Sequence, residues 1–323
     1  MNLREKRTIL AVDPDAANFP AFYAALRASG DVHIFPTIDR LLAEGGPVPV
    51  RDTIYLLDTL ALQNSPTALV AQLLEQRGRV PMGLITQSPS DQYLMDLRRW
   101  GILQIAVKAE PLELHEIGLY VQCVADPLNG FGLYRYLGHT MEMYNLSIHT
   151  IKEKNDAVEK VINHFATANF EIHELFDVRL ILEETLNNSF FHAFRKPSGE
   201  EKYSMQSFRE LDPEEKIRIE YGNDATMSGF TVTDNAGSLP VRTIMHKLER
   251  QLNREGLFDS SGRGLYLSRM LSTAFIINIE EAKRTQMVAL FDARRKLERP
   301  KPFMVNYVGP DTFGEWRLEE DFD

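Results

Sequence analysis

Residues 181–194 read ILEETLNNSFFHAF, and their side chains sort by the helical period. Leu182, Leu186, Phe190 and Ala193 recur at spacings of four and three, so on a helix they make one apolar stripe that faces a core. Glu184, Asn188 and His192 stand at i, i+4 and i+8 and make a second, polar stripe. Ile181 and Phe191 flank that polar stripe with apolar surface. The pattern predicts a helix whose polar face is the wall of a cleft.

Around this helix the chain from 151 to 293 reads as helices on a sheet. DAVEKVINHFATAN (156–169) is helical in period, and strand-like alternation follows in KIRIEY (216–221), GFTVTD (229–234), FIINIE (275–280) and TQMVALF (285–291). Helices covering one face of a mostly antiparallel sheet give an α+β sandwich. Two more stretches stand in order after the helix. FTVTDNAGSLP (230–240) is a strand that ends at Asp234 and runs into Gly237. SSGRGLYLSRMLS (260–272) places Gly262 and Gly264 before an apolar helix, where open backbone N–H groups and the helix dipole suit a phosphate.

These three stretches together resemble the GHKL ATPase superfamily, shared by gyrase, MutL, histidine kinases and anti-sigma-factor serine kinases, over roughly residues 145–293. The form E-x-x-x-N-x-x-x-H-A followed by GRGLYL is closest to the anti-sigma-factor kinase branch. The resemblance implies ATP and Mg2+ as cofactors. It gives Asn188 the magnesium, Asp234 the adenine amino group, Gly237 a place in the nucleotide loop, and Gly262 and Gly264 the phosphates. Glu184 would be the general base that takes a proton from a protein serine or threonine hydroxyl, and Thr285 would sit near the adenine. Arg263, between the two glycines, reaches the γ-phosphate or is a solvated lid residue, whereas His192 stabilises the helix end or the pocket wall rather than performing chemistry. VRTIMHKLERQLNREGLFDS (241–260) stands in the place of an ATP lid.

One motif departs from the superfamily. The usual D-x-G-x-G is Asp234-Asn235-Ala236-Gly237-Ser238 here, with alanine and serine in the two glycine places. Where positive φ or close backbone approach is required, both side chains oppose it. The expectation is weaker nucleotide binding or a rearranged loop.

Residues 8–125 have a different grammar. TILAV (8–12), VHIFPT (32–37), TIYLLD (53–58), VPMGLIT (80–86) and LQIAVK (103–108) alternate with helical patterns such as NFPAFYAALRAS and PTALVAQLLEQRG. Five such runs predict an α/β, doubly wound, parallel five-stranded sheet with its site at the carboxyl ends of the strands. Those ends carry Asp13 with Asp15 close behind, Asp58, Thr86 and Lys108. The set resembles the receiver domain of two-component response regulators. By that resemblance Asp58 is the phosphoacceptor, Asp13 and Asp58 hold Mg2+, Thr86 is the switch hydroxyl and Lys108 the phosphate partner. Pro14 separates the two acids that receivers place side by side, Ala109 replaces the usual proline, and Ile105 stands where an aromatic is usual.

The expected organisation is therefore a receiver-like domain over 1–126, a helical linker over 127–150, a GHKL domain over 151–293 and an extension over 294–323. The formal charge of −10 and pI near 5.4 argue against a nucleic-acid partner. The single cysteine, Cys123, fits a reducing compartment and a buried apolar role. No membrane-length apolar run or signal peptide is found, so the cytoplasm is the expected location. The leading expectation is a receiver that controls a serine/threonine kinase acting on a STAS-type anti-sigma-factor antagonist, with an upstream histidine kinase as phosphodonor. A non-catalytic switch that sequesters a sigma factor or STAS partner is the alternative, and a histidine kinase using His139 or His149 is a weaker one. A homodimer is compatible with either.

Overall fold

The strands of the first half form where the apolar runs place them: β1 (Thr8–Val12), β2 (Asp31–Phe35), β3 (Thr53–Asp58), β4 (Met82–Thr86) and β5 (Gln104–Val107). The computed structural model describes residues 7–45, 52–75, 80–87, 100–108, 114–138, 142–167, 172–205, 207–252, 264–292 and 303–309. The chain divides into a first unit that runs to Asn129 and a second from Gly130 to Pro310.

In the first unit the strand order is β2-β1-β3-β4-β5 and every pairing is parallel. Strand β3 is buried at all its positions, which is why it reads as an unbroken apolar run rather than an alternating one. Helices α1 (Pro20–Ser29), α2 (Ile38–Glu44), α3 (Thr59–Asn64), α4 (Thr67–Leu74) and α5 (Leu114–Ala125) accompany the sheet. Pro20 opens α1, where its missing N–H is no loss, and Phe22, Tyr23, Ala25 and Leu26 give it a buried face. In this strand order β1 and β3 are neighbours whose crossovers leave in opposite directions, and a crevice opens at their carboxyl ends. Asp13 follows β1 and Asp58 ends β3, so the fold puts both acids at that point.

The second unit has the strand order β11-β9-β10-β8-β7-β6. Its strands are β6 (Glu142–Ile148), β7 (Ile217–Asn223), β8 (Met227–Asp234), β9 (Ala274–Glu280), β10 (Arg284–Asp292) and β11 (Phe303–Val308). All pairings are antiparallel except β11 with β9. Helices α6 (Ile151–Thr167), α7 (Ile172–Asn187), α8 (Val241–Leu252) and α9 (Gly264–Leu271) complete it. Ile181, Leu182, Leu186 and Phe190 are fully buried, as the apolar stripe requires, and Phe165, Phe230 and Phe291 pack ring to ring in the same core.

Two stretches differ from their expected form. The 127–150 junction carries short 3₁₀ turns at Pro127–Gly130 and Leu133–Arg135 and then strand β6, where a helix leading into the second half was expected. The strand is mostly exposed on both faces, so its sequence lacks clean alternation. Within 294–323, residues Phe303–Val308 form β11 beside β9. Its buried Asn306 breaks the apolar pattern, and the structure accounts for it: Asn306 Nδ2 donates to Asn278 Oδ1 at 2.7 Å, its register partner on β9. A buried amide without that bond would be costly.

Candidate functional site

Each unit gathers chemistry at one place. In the first unit Lys108 Nζ lies 2.8 Å from Asp13 Oδ2 and 2.8 Å from Asp58 Oδ2, with all three side chains at most 2% exposed. Asp58 is also the N-cap of α3, where its Oδ1 accepts the N–H groups of Leu60 at 2.9 Å and Ala61 at 3.3 Å. Burial pushes the Asp58 carboxyl above its ordinary pKa, and the hydrogen bond and charge of Lys108 oppose the rise. The Thr86 hydroxyl accepts from Thr59 at 3.0 Å.

Asp15 does not join the cluster with its carboxylate. Its N–H donates to Asp13 Oδ1 at 2.8 Å while its own Oδ2 accepts from Gln87 at 3.4 Å on the exposed side. Three residues outside the strand-end pattern do join. The Tyr23 hydroxyl donates to Asp13 Oδ2 at 2.6 Å, the Phe19 ring covers the Lys108 ammonium at 4.4 Å, and Thr59 meets Thr86. Tyr23 and Phe19 come from α1 and the turn before it, which no strand-end pattern reveals.

The receiver resemblance implies a magnesium ion here, and Asp13 and Asp58 are the acids that would hold it once the Lys108 ammonium between them moves aside. Both oxygens of Asp13 and of Asp58 already accept hydrogen bonds or bridge to Lys108, whose ammonium sits between the two acids. Among the described residues no group of three or more His, Cys, Asp or Glu side chains gathers as a metal site.

In the second unit the strand register makes the site. Thr285 on β10 stands opposite Asp234 on β8, and Ile217 on β7 flanks Asp234 on its other side. Asp234 Oδ1 accepts the N–H groups of Ala236 at 3.1 Å and Gly237 at 3.4 Å, and the carboxyl also accepts from the Thr285 N–H and the Ser189 hydroxyl. Burial nevertheless pushes its pKa up to about 6, because these four donors offset only part of the lost hydration. The Thr285 hydroxyl is buried beside it with no hydrogen-bond partner among the described residues. A buried hydroxyl and a buried carboxyl side by side can offer an incoming group both a donor and an acceptor.

Ser189 reaches Asp234 because the helix changes pitch. A π-helical turn at Asn188–His192 follows α7, and the Thr185 hydroxyl just before it bonds back to the Ile181 and Leu182 carbonyls. Such turns insert a residue into the helical register and favour functional sites. The stripe of the sequence therefore ends at Asn188: His192 turns outward, half exposed, and pairs with Glu201 at 2.7 Å.

The altered loop is rebuilt rather than strained. Gly237 alone among residues 234–238 has positive φ, at 60°, and a Cβ there would meet the backbone of Glu280, Lys283 and Arg284 within 2.6 Å. Ala236 and Ser238 keep ordinary backbone angles, contrary to the strain their side chains threatened. The Ser238 hydroxyl bonds the Ala193 carbonyl, and Asn235 bonds Lys216 N–H at 2.7 Å and Glu214 O at 2.8 Å.

Glu184 lies on the same helix as Ser189, and α9 begins against it. A Cβ on Gly264 would stand 2.5 Å from Glu184 Oε2, so the glycine lets a helix N-terminus approach the acid. Lys154 on α6 donates to Asn187 at 2.5 Å; burial holds its ammonium below the ordinary lysine pKa, with Glu183 and Glu184 opposing. Gly262, Arg263 and the end of the lid stretch lie outside the described residues.

Residues 152–290 match the family model for the histidine kinase-like ATPase domain. The match covers the span in which the superfamily motifs were found, and the ATPase-domain fold of the second unit is thereby the one expected. The N-terminal part is similar in fold to response-regulator receiver domains. A response regulator from Thermotoga maritima is 13% identical, with 37% of this chain and 98% of that one covered at a TM-score of 0.30. The chemotaxis response regulator CheY4 of Vibrio cholerae is 18% identical over 37% and 98% at 0.29. A signal receiver domain of an HD domain-containing protein from Pseudomonas fluorescens is 17% identical over 36% and 93% at 0.30. No curated protein matches the chain. Among the described residues no helix is long and apolar enough to cross a membrane.

Proposed function

We propose that the chain is a signalling protein whose ATPase domain transfers the γ-phosphoryl group of ATP to a serine or threonine of a STAS-type anti-sigma-factor antagonist, under control of its receiver-like unit. The observation that supports it most is the pairing of Asp234 with a buried Thr285 hydroxyl that has no hydrogen-bond partner among the described residues, in the same domain as Glu184 and Gly264. In this reading Asp234 and Thr285 hold the base. Gly262 and Gly264, with Arg263, face the phosphates, and Asn188 lends its oxygen to the magnesium that arrives with the nucleotide. When bound, that ion offsets the charge of the phosphates.

Glu184 takes the proton of the attacking hydroxyl, a role supported by the close approach of its carboxylate to the α9 N-terminus at Gly264. Phosphorylation of Asp58 by an upstream histidine kinase is the proposed input. Phosphoryl transfer asks the protein for placement and charge more than for covalent chemistry, and these residues supply both.

The competing reading, a partner-sequestering switch without catalysis, drew on Ala236 and Ser238. Their backbone angles are ordinary, so that reading now rests on the close approach a nucleotide would need at those two side chains. The test is transfer from radiolabelled ATP to a purified STAS-domain protein by wild type and Glu184→Gln. Labelled STAS protein with wild type only, at equal ATP affinity for the two chains, supports the kinase. Equal labelling refutes Glu184 as base, and tight ATP binding without labelling by either chain favours the switch.

A further inference from the structure

The acid cluster of the first unit is held by more groups than an acceptor carboxylate needs. Lys108 bridges Asp13 Oδ2 and Asp58 Oδ2 at 2.8 Å each, and the Tyr23 hydroxyl donates to that same Asp13 oxygen at 2.6 Å. The Phe19 ring lies over the ammonium. A hydroxyl bonded to a carboxylate is among the stronger neutral-to-charged hydrogen bonds, and a ring face adds attraction for the cation. Burial first, and Asp13 second, keep Tyr23 protonated far above the physiological range, so it remains a donor.

The two oxygens of Asp58 are unequal. Oδ1 caps α3 through two backbone N–H groups and cannot leave without unwinding the helix start. Oδ2 has Lys108 as its cation. Oδ2 is therefore the oxygen that can be freed, and freeing it means moving the ammonium.

We infer that Tyr23 is a positioning residue of this site: together with Phe19 it fastens Lys108 between Asp13 and Asp58, in the place a divalent cation would need, and Asp58 accepts a phosphoryl group only once that ammonium is displaced. The inference rests on Asp58 as phosphoacceptor. In the step itself Asp58 Oδ2 attacks the phosphorus of the donor. With acetyl phosphate a P–O bond forms to Asp58, the P–O bond to acetate breaks, and acetate leaves with the bonding pair.

The experiment treats the full-length chain, without ATP, with acetyl phosphate and magnesium, and follows phosphorylation by intact mass. Mn2+ binding is titrated in parallel by electron paramagnetic resonance. Tyr23→Phe keeps the ring and removes the donor, and Phe19→Ala removes the cover at a part-exposed position, so one serves if the other does not fold. Either is expected to be labelled about tenfold faster than wild type and to half-saturate with Mn2+ at about tenfold lower concentration, the worth of one charge-assisted bond. Both gains should vanish in the double variants with Asp58→Asn. Labelling and Mn2+ binding at wild-type levels in both variants overturn the inference. Labelling that survives Asp58→Asn, or no labelling of any chain, overturns Asp58 as acceptor instead, and the Mn2+ titration then still decides whether Tyr23 fastens the ammonium.

Discussion

Thr285 and Asp234 face each other across the β10–β8 pair, the Thr285 N–H donating to the Asp234 carboxyl while the Thr285 hydroxyl is buried with no partner among the described residues. A buried hydroxyl of this kind costs stability unless something arrives to use it.

Replacing Thr285 by valine should separate binding from folding. The variant loses a hydroxyl that is unsatisfied in the free protein, so its thermal unfolding should stay level or rise by the equivalent of about 1 kcal/mol. Its ATP affinity should fall about tenfold, the worth of one hydrogen bond in a dry site. Calorimetric titration and a melt on the same sample check both halves.

Asp234 gives the free protein a pH dependence with a definite sign. Its folded pKa of about 6 lies above the ordinary value near 3.8, so the folded state holds the proton more tightly than the unfolded state does. The stability it contributes is complete below about pH 4 and is lost as pH rises through about 6, by about 3 kcal/mol in all. Urea unfolding of wild type should therefore weaken relative to Asp234→Asn between pH 4 and pH 7. Nucleotide binding should run the other way. The ionised carboxylate is the better acceptor for an amino group, so ATP affinity should strengthen as pH rises from 5 to 7 and should lose that dependence in Asp234→Asn.

Gly264→Ala should damage chemistry more than stability. The added Cβ meets the far end of the Glu184 side chain, which can rotate away, rather than fixed backbone. Unfolding free energy should change by less than about 1 kcal/mol. Phosphotransfer should fall about a hundredfold, the usual contribution of a placed general base. A variant that transfers at the wild-type rate would mean that Glu184 is not the base or does not need its observed position.

The glycine loop offers a paired test. Gly237→Ala sets a Cβ against three backbone atoms at positive φ and should cost about 2–4 kcal/mol in chemical denaturation. Ser238→Gly removes the bond to the Ala193 carbonyl and should cost only about 1 kcal/mol. Equal costs would show that the loop draws its shape from Ser238 as much as from Gly237.

Most of the elements were legible in the chain, β6 and β11 excepted. Strand runs such as TILAV and TIYLLD are contiguous, and the apolar stripe of 181–194 repeats at the helical period, so local spacing is enough to read them. Glu184, Asp234, Gly264 and Thr285 stood out because each lies at or near the end of an element. The three-dimensional pairing of Thr285 with Asp234 then followed from an ordinary antiparallel register. What local spacing could not give was pitch and packing. The π-turn turned His192 outward and Ser189 inward by adding a residue to one turn, a choice made by the Phe190 and Phe191 burial sites and not by the period. Tyr23 reached Asp13 from α1, and Asn306 found Asn278 on a strand far away in sequence, because only the packed fold brings such groups within hydrogen-bond distance. The sequence by itself determined which residues can do chemistry and on which kind of element they stand. Tertiary structure decided which of them meet, since contact depends on register and helix pitch, and a shift of one residue in either changes every neighbour.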